Sequence, residues 1–251
     1  MPRQARKQAK SGIYHVMLRG IDRQLIFEDS EDCFRFLDIV QECQELCGFK
    51  LYAYCLMGNH VHLLLRVQEV GLETIFKRIG GRYVYYYNVK YQRVGHLFQD
   101  RFKSEPVDDD VYFLTVLRYI HQNPVKAKIC AKVAEYPFSS FGEYLHKSRL
   151  IDTSFALGMI ERGEFAKFNN APNSDTCLEL AVPSRRAVTD AQAQVLIEKI
   201  SRCKTIVEFQ SLEEKKKERF IKKIYDKGVS VRQISRLTGT TKGMVEKHLK
   251  A

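Results

Sequence analysis

Tryptophan is absent from the 251 residues, proline occurs 6 times, and no apolar run approaches the length a bilayer-spanning helix requires, ~18 residues. Membrane partners are therefore not expected. The opening stretch MPRQARKQAK is basic and lacks the apolar centre of a signal peptide, so the expected location is cytoplasmic. Seven cysteines are scattered without a C-x-x-C pair, an odd count that points to reduced thiols rather than a disulfide framework. Cys43 and Cys47 would share a helix face as core packing. Acidic residues are the scarce charge: 30 against 41 Lys and Arg, for a net +11. Residues 181–251 alone carry 9 of those 11 charges, a concentration that suits a polyanion, most simply nucleic acid.

What is present is an ordinary globular balance, 45% hydrophobic and 28% charged, in a chain long enough for two domains. GIYHVMLRG (12–20) reads as a strand. SEDCFRFLDIVQECQELCG (30–48) reads as a helix with Ser30 as N-cap and Gly48 past its end, and FKLYAYCLM (49–57) as a second strand. Gly58 and Asn59 fit a tight reversal into HVHLLLRV, giving an antiparallel hairpin. A helix over 71–92, a short extended piece at FKSEPVD and a helix over 109–122 follow, the last opened by Asp108 to Asp110 and stopped by Pro124. The expected class is α+β, a small ferredoxin-like antiparallel sheet with packed helices, followed by an all-α C-terminal domain. The expected boundaries are a basic tail over 1–11, a catalytic domain over 12–145, a linker or surface excursion over 146–185 and a basic helical domain over 186–251. No internal repeat is visible. The cluster YVYYYNVKY is read as helix core and surface, with stacking of unpaired bases as its functional alternative.

The pair His60 and His62 demands more than packing. Side chains alternate along a strand, so both imidazoles share a face and can offer nitrogens to one divalent ion. Two ligands do not complete a site. In VYFLTVLRYIHQNPV, Tyr119 and Asn123 are four residues apart, on one helix face, so a tyrosine hydroxyl and an amide oxygen can meet the same phosphate. Among the 13 tyrosines, Tyr119 is the one with a good oxygen ligand at the plus-four position. Because Pro124 disfavours helical geometry at the preceding residue, His121 stands as the alternative third ligand to Asn123.

The segments YHVMLRGIDRQLIF, MGNHVHLLL, LFQDRFKSE and LRYIHQNPVKA, in this order over residues 11–145, resemble the single-tyrosine HUH transposases, most closely the REP-associated tyrosine transposases. The resemblance implies a ferredoxin-like sheet, a Mg²⁺ or Mn²⁺ ion, and cleavage and rejoining of single-stranded DNA beside a hairpin through a 5′-phosphotyrosine. It implies His60 and His62 as metal ligands, Tyr119 as nucleophile and Asn123 as the remaining ligand, where the insertion-sequence branch has glutamine. Arg19, Arg23, Arg101 and Lys103, from the same motifs, are expected phosphate contacts. Arg66, at the end of the histidine strand, is a further candidate. The related insertion-sequence enzymes exchange the tyrosine helix between subunits, which leaves monomer and homodimer both open.

The tail GVSVRQISRLTGTTKGMVEKHLK has the form of a helix-turn-helix, with helices at about 231–237 and from about 241 and a turn through Thr238 and Gly239. It resembles the DNA-binding domains of bacterial replication initiators and sigma factors over some 23 residues. Val231, Ile234 and Leu237 form one apolar stripe, and Met244, Val245 and Leu249 another. Thr240, Thr241, Lys242 and Lys247 are left as readers of adjoining duplex. Two rivals remain: a non-catalytic DNA-binding regulator that keeps the fold, and a metal-dependent hydrolase of a small substrate. The intact set His60, His62, Tyr119 and Asn123 speaks against the first, and the basic tail against the second.

Overall fold

The computed structural model describes residues 6–175, 177, 178, 190–203 and 205–250. The chain divides into two compact units, Met1–Leu178 and Glu179–Ala251, each with its own apolar core.

In the first unit, β1 (Ile13–Arg19), α1 (Ser30–Cys47), β2 (Lys50–Met57), β3 (His60–Arg66), α2 (Leu72–Lys90) and β4 (Lys103–Pro106) follow one another. The sheet order is β2-β3-β1-β4 and every pairing is antiparallel, which with this connectivity is the ferredoxin-like arrangement. A left-handed Gly48 ends α1. Asp29 caps its start in place of the expected Ser30, its carboxylate accepting the orphan Asp32 backbone N–H at 3.0 Å. On one face of the sheet, Tyr54 of β2 meets Phe34 and Leu37 of α1 around a shallow groove. Most of the tyrosine cluster secures that layer. Tyr83 and Tyr87 donate to the backbone carbonyls of Ile26 and Leu25, Tyr86 and Tyr91 reach Asp32, and Tyr85 alone of the five is exposed.

The opposite face is covered by α3 (Asp110–Lys126), capped by Asp109. This helix does not stop before Pro124. The proline lacks an N–H to donate, but its ring is buried and the last turn is completed by Ala127 N–H to the Asn123 carbonyl at 2.9 Å. Tertiary packing thus overrides the local bias, and Asn123 stays on the helical face.

Of the segment expected as a linker or surface excursion, residues 146–178 belong to the first unit. With α4 (Phe141–Leu145), they supply α5 (Ser154–Leu157) and α6 (Arg162–Asn170) to the first unit. Phe165 is fully buried and stacks on Tyr144 with ring centroids 4.3 Å apart. The polar stretch that looked like a loop is polar because its asparagines tie the chain down: Asn173 donates to Gln122 at 2.7 Å and Asn169 lies 2.8 Å from His121. The remainder of the expected linker, 179–185, lies outside the described residues, as do residues 1–5 of the basic tail.

The second unit holds α7 (Asp190–Ser201), α8 (Ile206–Gln210), α9 (Glu214–Asp226), α10 (Val231–Thr238) and α11 (Lys242–Lys250) around Ile197, Phe209, Ile221, Ile224, Ile234 and Val245. Ser230 and Gln233 form a reciprocal capping box on α10. Gly239 turns the chain at φ 68°, and a Cβ there would lie 2.5 Å from the Gln210 side chain, so both the angle and the space demand glycine. Met244, expected in an apolar stripe, is exposed. Among the described residues, no helix is long and apolar enough to cross a membrane.

Candidate active site

Strand register assembles the centre of the site. β1 and β3 run antiparallel with Arg19 opposite His60 and Met17 opposite His62, so His15, Met17 and Arg19 share a face with His60 and His62. The two β3 imidazoles have centroids 5.1 Å apart and cross at 86°. His62 is buried, while His60 sits at the half-open end.

Tyr119 and Asn123 project from α3 onto this face. The Tyr119 ring lies 5.7 Å from His62 and 5.9 Å from His15, centroid to centroid, and is almost wholly buried. The Lys126 ammonium, one further turn along, is 4.9 Å from the centre of the Tyr119 ring. Asn123 Nδ2 donates to the Tyr119 backbone carbonyl at 3.2 Å. That bond leaves the amide oxygen toward His60, whose protonated form the Asn123 side chain favours. The helix packs on its own sheet, so His60, His62, Tyr119 and Asn123 come together within one chain. His121 does not join them. Its Nε2 is 2.9 Å from Ser140 Oγ and its Nδ1 2.8 Å from Asn169 Oδ1, on the far side of α3 among Phe141, Tyr144 and Phe165.

Both β3 histidines are held neutral. Burial, then the neighbouring Arg19 charge, pushes His60 down to about 4, and burial with His15, His60 and Arg19 pushes His62 well below its ordinary value. Each also has its Nδ1 engaged: His60 with Asn59 Oδ1 at 2.7 Å, His62 with His15 Nε2 at 2.9 Å. Each ring therefore turns its Nε2 edge away from those partners. Among the described residues no three His, Cys, Asp or Glu side chains are arranged to hold a metal. A cation at this pair would draw on the two imidazoles, the Asn123 amide oxygen and oxygens from outside the chain.

The cations around the site differ in what already holds them. Arg19 Nε is buried without a hydrogen-bond partner among the described residues, and burial followed by the Arg23 charge draws its pKa down. Arg23 and Asp22 occupy left-handed backbone, φ 62° and 49°, in a short 3₁₀ turn that Asn59 ties to the β2–β3 hairpin through the Arg23 carbonyl at 3.2 Å. Lys103 is exposed on β4 opposite Met17, on the site's face. Arg101 is engaged with Glu73 at 3.8 Å, and Arg66 donates to the Ser11 carbonyl at 3.1 Å, at the other end of the strand from His60.

Residues 8–123 match the family of IS200-like transposases. This segment is similar to an IS200-like transposase domain. It contains β1 to β4 and ends at Asn123, so the histidine pair, the tyrosine and the asparagine all fall inside it. A Haemophilus influenzae protein named as a REP-associated tyrosine transposase is 31% identical over 113 residues, 40% of this chain and 63% of the relative. The matched region thus spans less than two thirds of that relative. A solved REP-associated tyrosine transposase bound to a REP hairpin shares the fold, at a TM-score of 0.53 and 16% identity over 74% of this chain and 99% of its own.

Four residues that contribute to the site were not singled out from the sequence: His15, Asn59, Glu105 and Lys126. His15 stood in the quoted YHV and its alternation with Arg19 put it on a sheet face, but only the β1–β3 register brings that face to His62. Glu105 needed the β1–β4 register in the same way.

In the second unit, Thr241 accepts the Met244 backbone N–H at 3.4 Å and starts α11, and Thr240 takes a bond from Thr238. Lys242 and Lys247 are exposed, Lys242 lying 3.5 Å from Glu246.

Proposed function

We propose that this protein is a metal-dependent single-stranded DNA endonuclease and strand transferase, acting beside a DNA hairpin through a phosphotyrosine. The observation that supports it most is Tyr119 lying against His62 with Asn123 turned to His60, four side chains from two elements converging on one point. A pure binding module has no need of that set.

The donor set fits Mg²⁺ or Mn²⁺: two imidazoles kept neutral by burial with their Nε2 edges directed away from Asn59 and His15, and an amide oxygen on the adjoining helix. When bound, such an ion supplies charge to a nonbridging phosphate oxygen, offsetting the negative charge that builds as a phenol oxygen attacks. The chain's own residues do the rest. Tyr119 Oη forms a bond to phosphorus and the bond from phosphorus to the 3′-oxygen breaks. The phenol proton is lost, and the departing strand takes one up as a 3′-hydroxyl. Lys126, over the ring, brings a positive charge beside the attacking phenol. The phosphoester linkage is retained in the 5′-phosphotyrosine, so a second 3′-hydroxyl reverses the step and joins new ends without a nucleotide cofactor.

Arg19, whose buried Nε has no hydrogen-bond partner among the described residues, and Arg23 beside it are read as phosphate contacts at the His60 end, with Lys103 along the sheet and Arg101 as further candidates. In the second unit, α10 and α11 around Gly239 support a helix-turn-helix reading, with Thr240, Thr241, Lys242 and Lys247 at the start and outer face of the second helix. The fold shared with a hairpin-bound transposase supports a hairpin as the DNA target.

The test is a denaturing gel of the protein with labelled single-stranded oligonucleotides drawn from hairpins flanking its own gene, with Mn²⁺. A covalent adduct that Tyr119→Phe abolishes, with hairpin binding nearly intact, is expected. An adduct that persists in Tyr119→Phe refutes the nucleophile, and hairpin binding without any adduct favours a regulator that keeps the fold.

A further inference from the structure

Carrying the reading of His62 as a cation ligand one step outward, we propose that His15 and Glu105 are positioning residues that lock His62 into the tautomer with its free lone pair on Nε2.

His15 is fully buried in β1, and a strand facing α3 would pack more cheaply with an aliphatic side chain there. Its ring instead bridges two groups. His15 Nε2 is 2.9 Å from His62 Nδ1, with ring centroids 5.1 Å apart, and His15 Nδ1 is 2.8 Å from Glu105 Oε1, directly across the β1–β4 register. The direction of these bonds follows from the carboxylate. Glu105 also accepts the Leu178 backbone N–H at 2.9 Å and a bond from Tyr112. Burial alone would raise this carboxyl, but these donors together with His15 bring it below its ordinary value, so it is an acceptor only. His15 must then donate from Nδ1. With a single proton on the His15 ring, Nε2 accepts, and its partner is an N–H on His62 Nδ1. The lone pair of His62 is left on Nε2, the edge turned toward the site. His60 reaches the same state by a shorter route: Asn59 donates from Nδ2 to the Arg23 carbonyl, so its Oδ1 accepts from His60 Nδ1. Both ligands thus present the same nitrogen, one set by a neighbour in the turn and the other by a buried relay across three strands. Outer partners of this kind fix ring orientation and raise ligand basicity.

The assay uses the full chain, metal-free, with ¹⁵N-labelled histidine, and records long-range ¹H–¹⁵N correlations of His62. The Nδ1–H tautomer is expected, and a proton on Nε2 overturns the proposal. Mn²⁺ affinity is then measured by electron paramagnetic resonance at fixed ionic strength. His15→Phe should bind Mn²⁺ about 10–100-fold more weakly with His62 in mixed tautomers, the size usual for lost outer-shell partners. His15→Gln, whose amide oxygen can still accept from His62 Nδ1–H, should recover most of that loss. Wild-type affinity and tautomer in a folded His15→Phe overturn the relay. If His15→Phe does not fold, Glu105→Gln at the sheet edge carries the test, with weaker Mn²⁺ binding and shifted His62 resonances expected and no change in either refuting it. His62→Ala separates the two levels. If it binds Mn²⁺ like the wild type, the ligand reading itself fails and the relay with it; if it loses the ion while His15→Phe and Glu105→Gln do not, the relay alone fails.

Discussion

Acid should unfold the first unit partly through a histidine that takes no part in the chemistry. His121 is fully buried, both ring nitrogens are engaged by Asn169 and Ser140, and burial pushes its pKa from 6.5 down to about 4. The folded value lies below the unfolded one. Between pH 6.5 and about 4 the unfolded chain therefore binds a proton that the folded chain refuses, and stability present above pH 6.5 is lost as the pH falls through that window. At about 1.36 kcal/mol for each pH unit separating the two values, His121 alone removes roughly 3 kcal/mol by pH 4. His60, also lowered to about 4, acts with the same sign. The assay is urea unfolding at pH 7, 5.5 and 4 followed by tyrosine fluorescence, which reports the first unit because all but one of the 13 tyrosines lie there and no tryptophan interferes. His121→Gln keeps one donor and one acceptor end but gains no charge. Its stability should fall by about 3 kcal/mol less than that of the wild type between pH 7 and pH 4. Equal losses in the two proteins would refute the reasoning.

Other perturbations test the remaining parts. Phe165→Ala should destabilise the first unit by roughly 3–5 kcal/mol, as for a fully buried aromatic, and an unchanged urea midpoint would return residues 146–178 to the status of a linker. His60→Ala and His62→Ala should each abolish Mn²⁺-dependent cleavage of a labelled oligonucleotide, and full cleavage by both at saturating Mn²⁺ would remove them from the metal. A chain ending at Leu178 should still nick a short single strand but bind a hairpin with long duplex flanks more weakly and with a flatter salt dependence. Equal affinities in gel shifts at matched salt would leave the second unit no role in DNA binding.

The elements were legible where period and punctuation agree: alternation around His60 to Arg66, the Gly58–Asn59 reversal, and the 3.6-residue stripe of α1 ended by Gly48. So was the spacing of Tyr119 and Asn123, a property of one helix. Two readings failed where tertiary packing outweighs local preference. Pro124 is carried through the last turn of α3 because its ring is buried, and residues 146–178 are folded by asparagine hydrogen bonds and Phe165, not by an apolar period. His121, adjacent in sequence to the site helix face, points to the opposite side, and only its partners Asn169 and Ser140 reveal this. His15 and Glu105 were illegible for a further reason. Their meaning depends on strand register between segments about 50 and 90 residues apart, which no local pattern encodes.

Digestion of the covalent complex followed by mass spectrometry decides whether Tyr119 becomes joined to DNA. A nucleotide attached through its 5′-phosphate to the peptide containing Tyr119 is expected, with the released strand ending in a 3′-hydroxyl. Attachment to any other tyrosine, or a released strand ending in a 3′-phosphate, would contradict it.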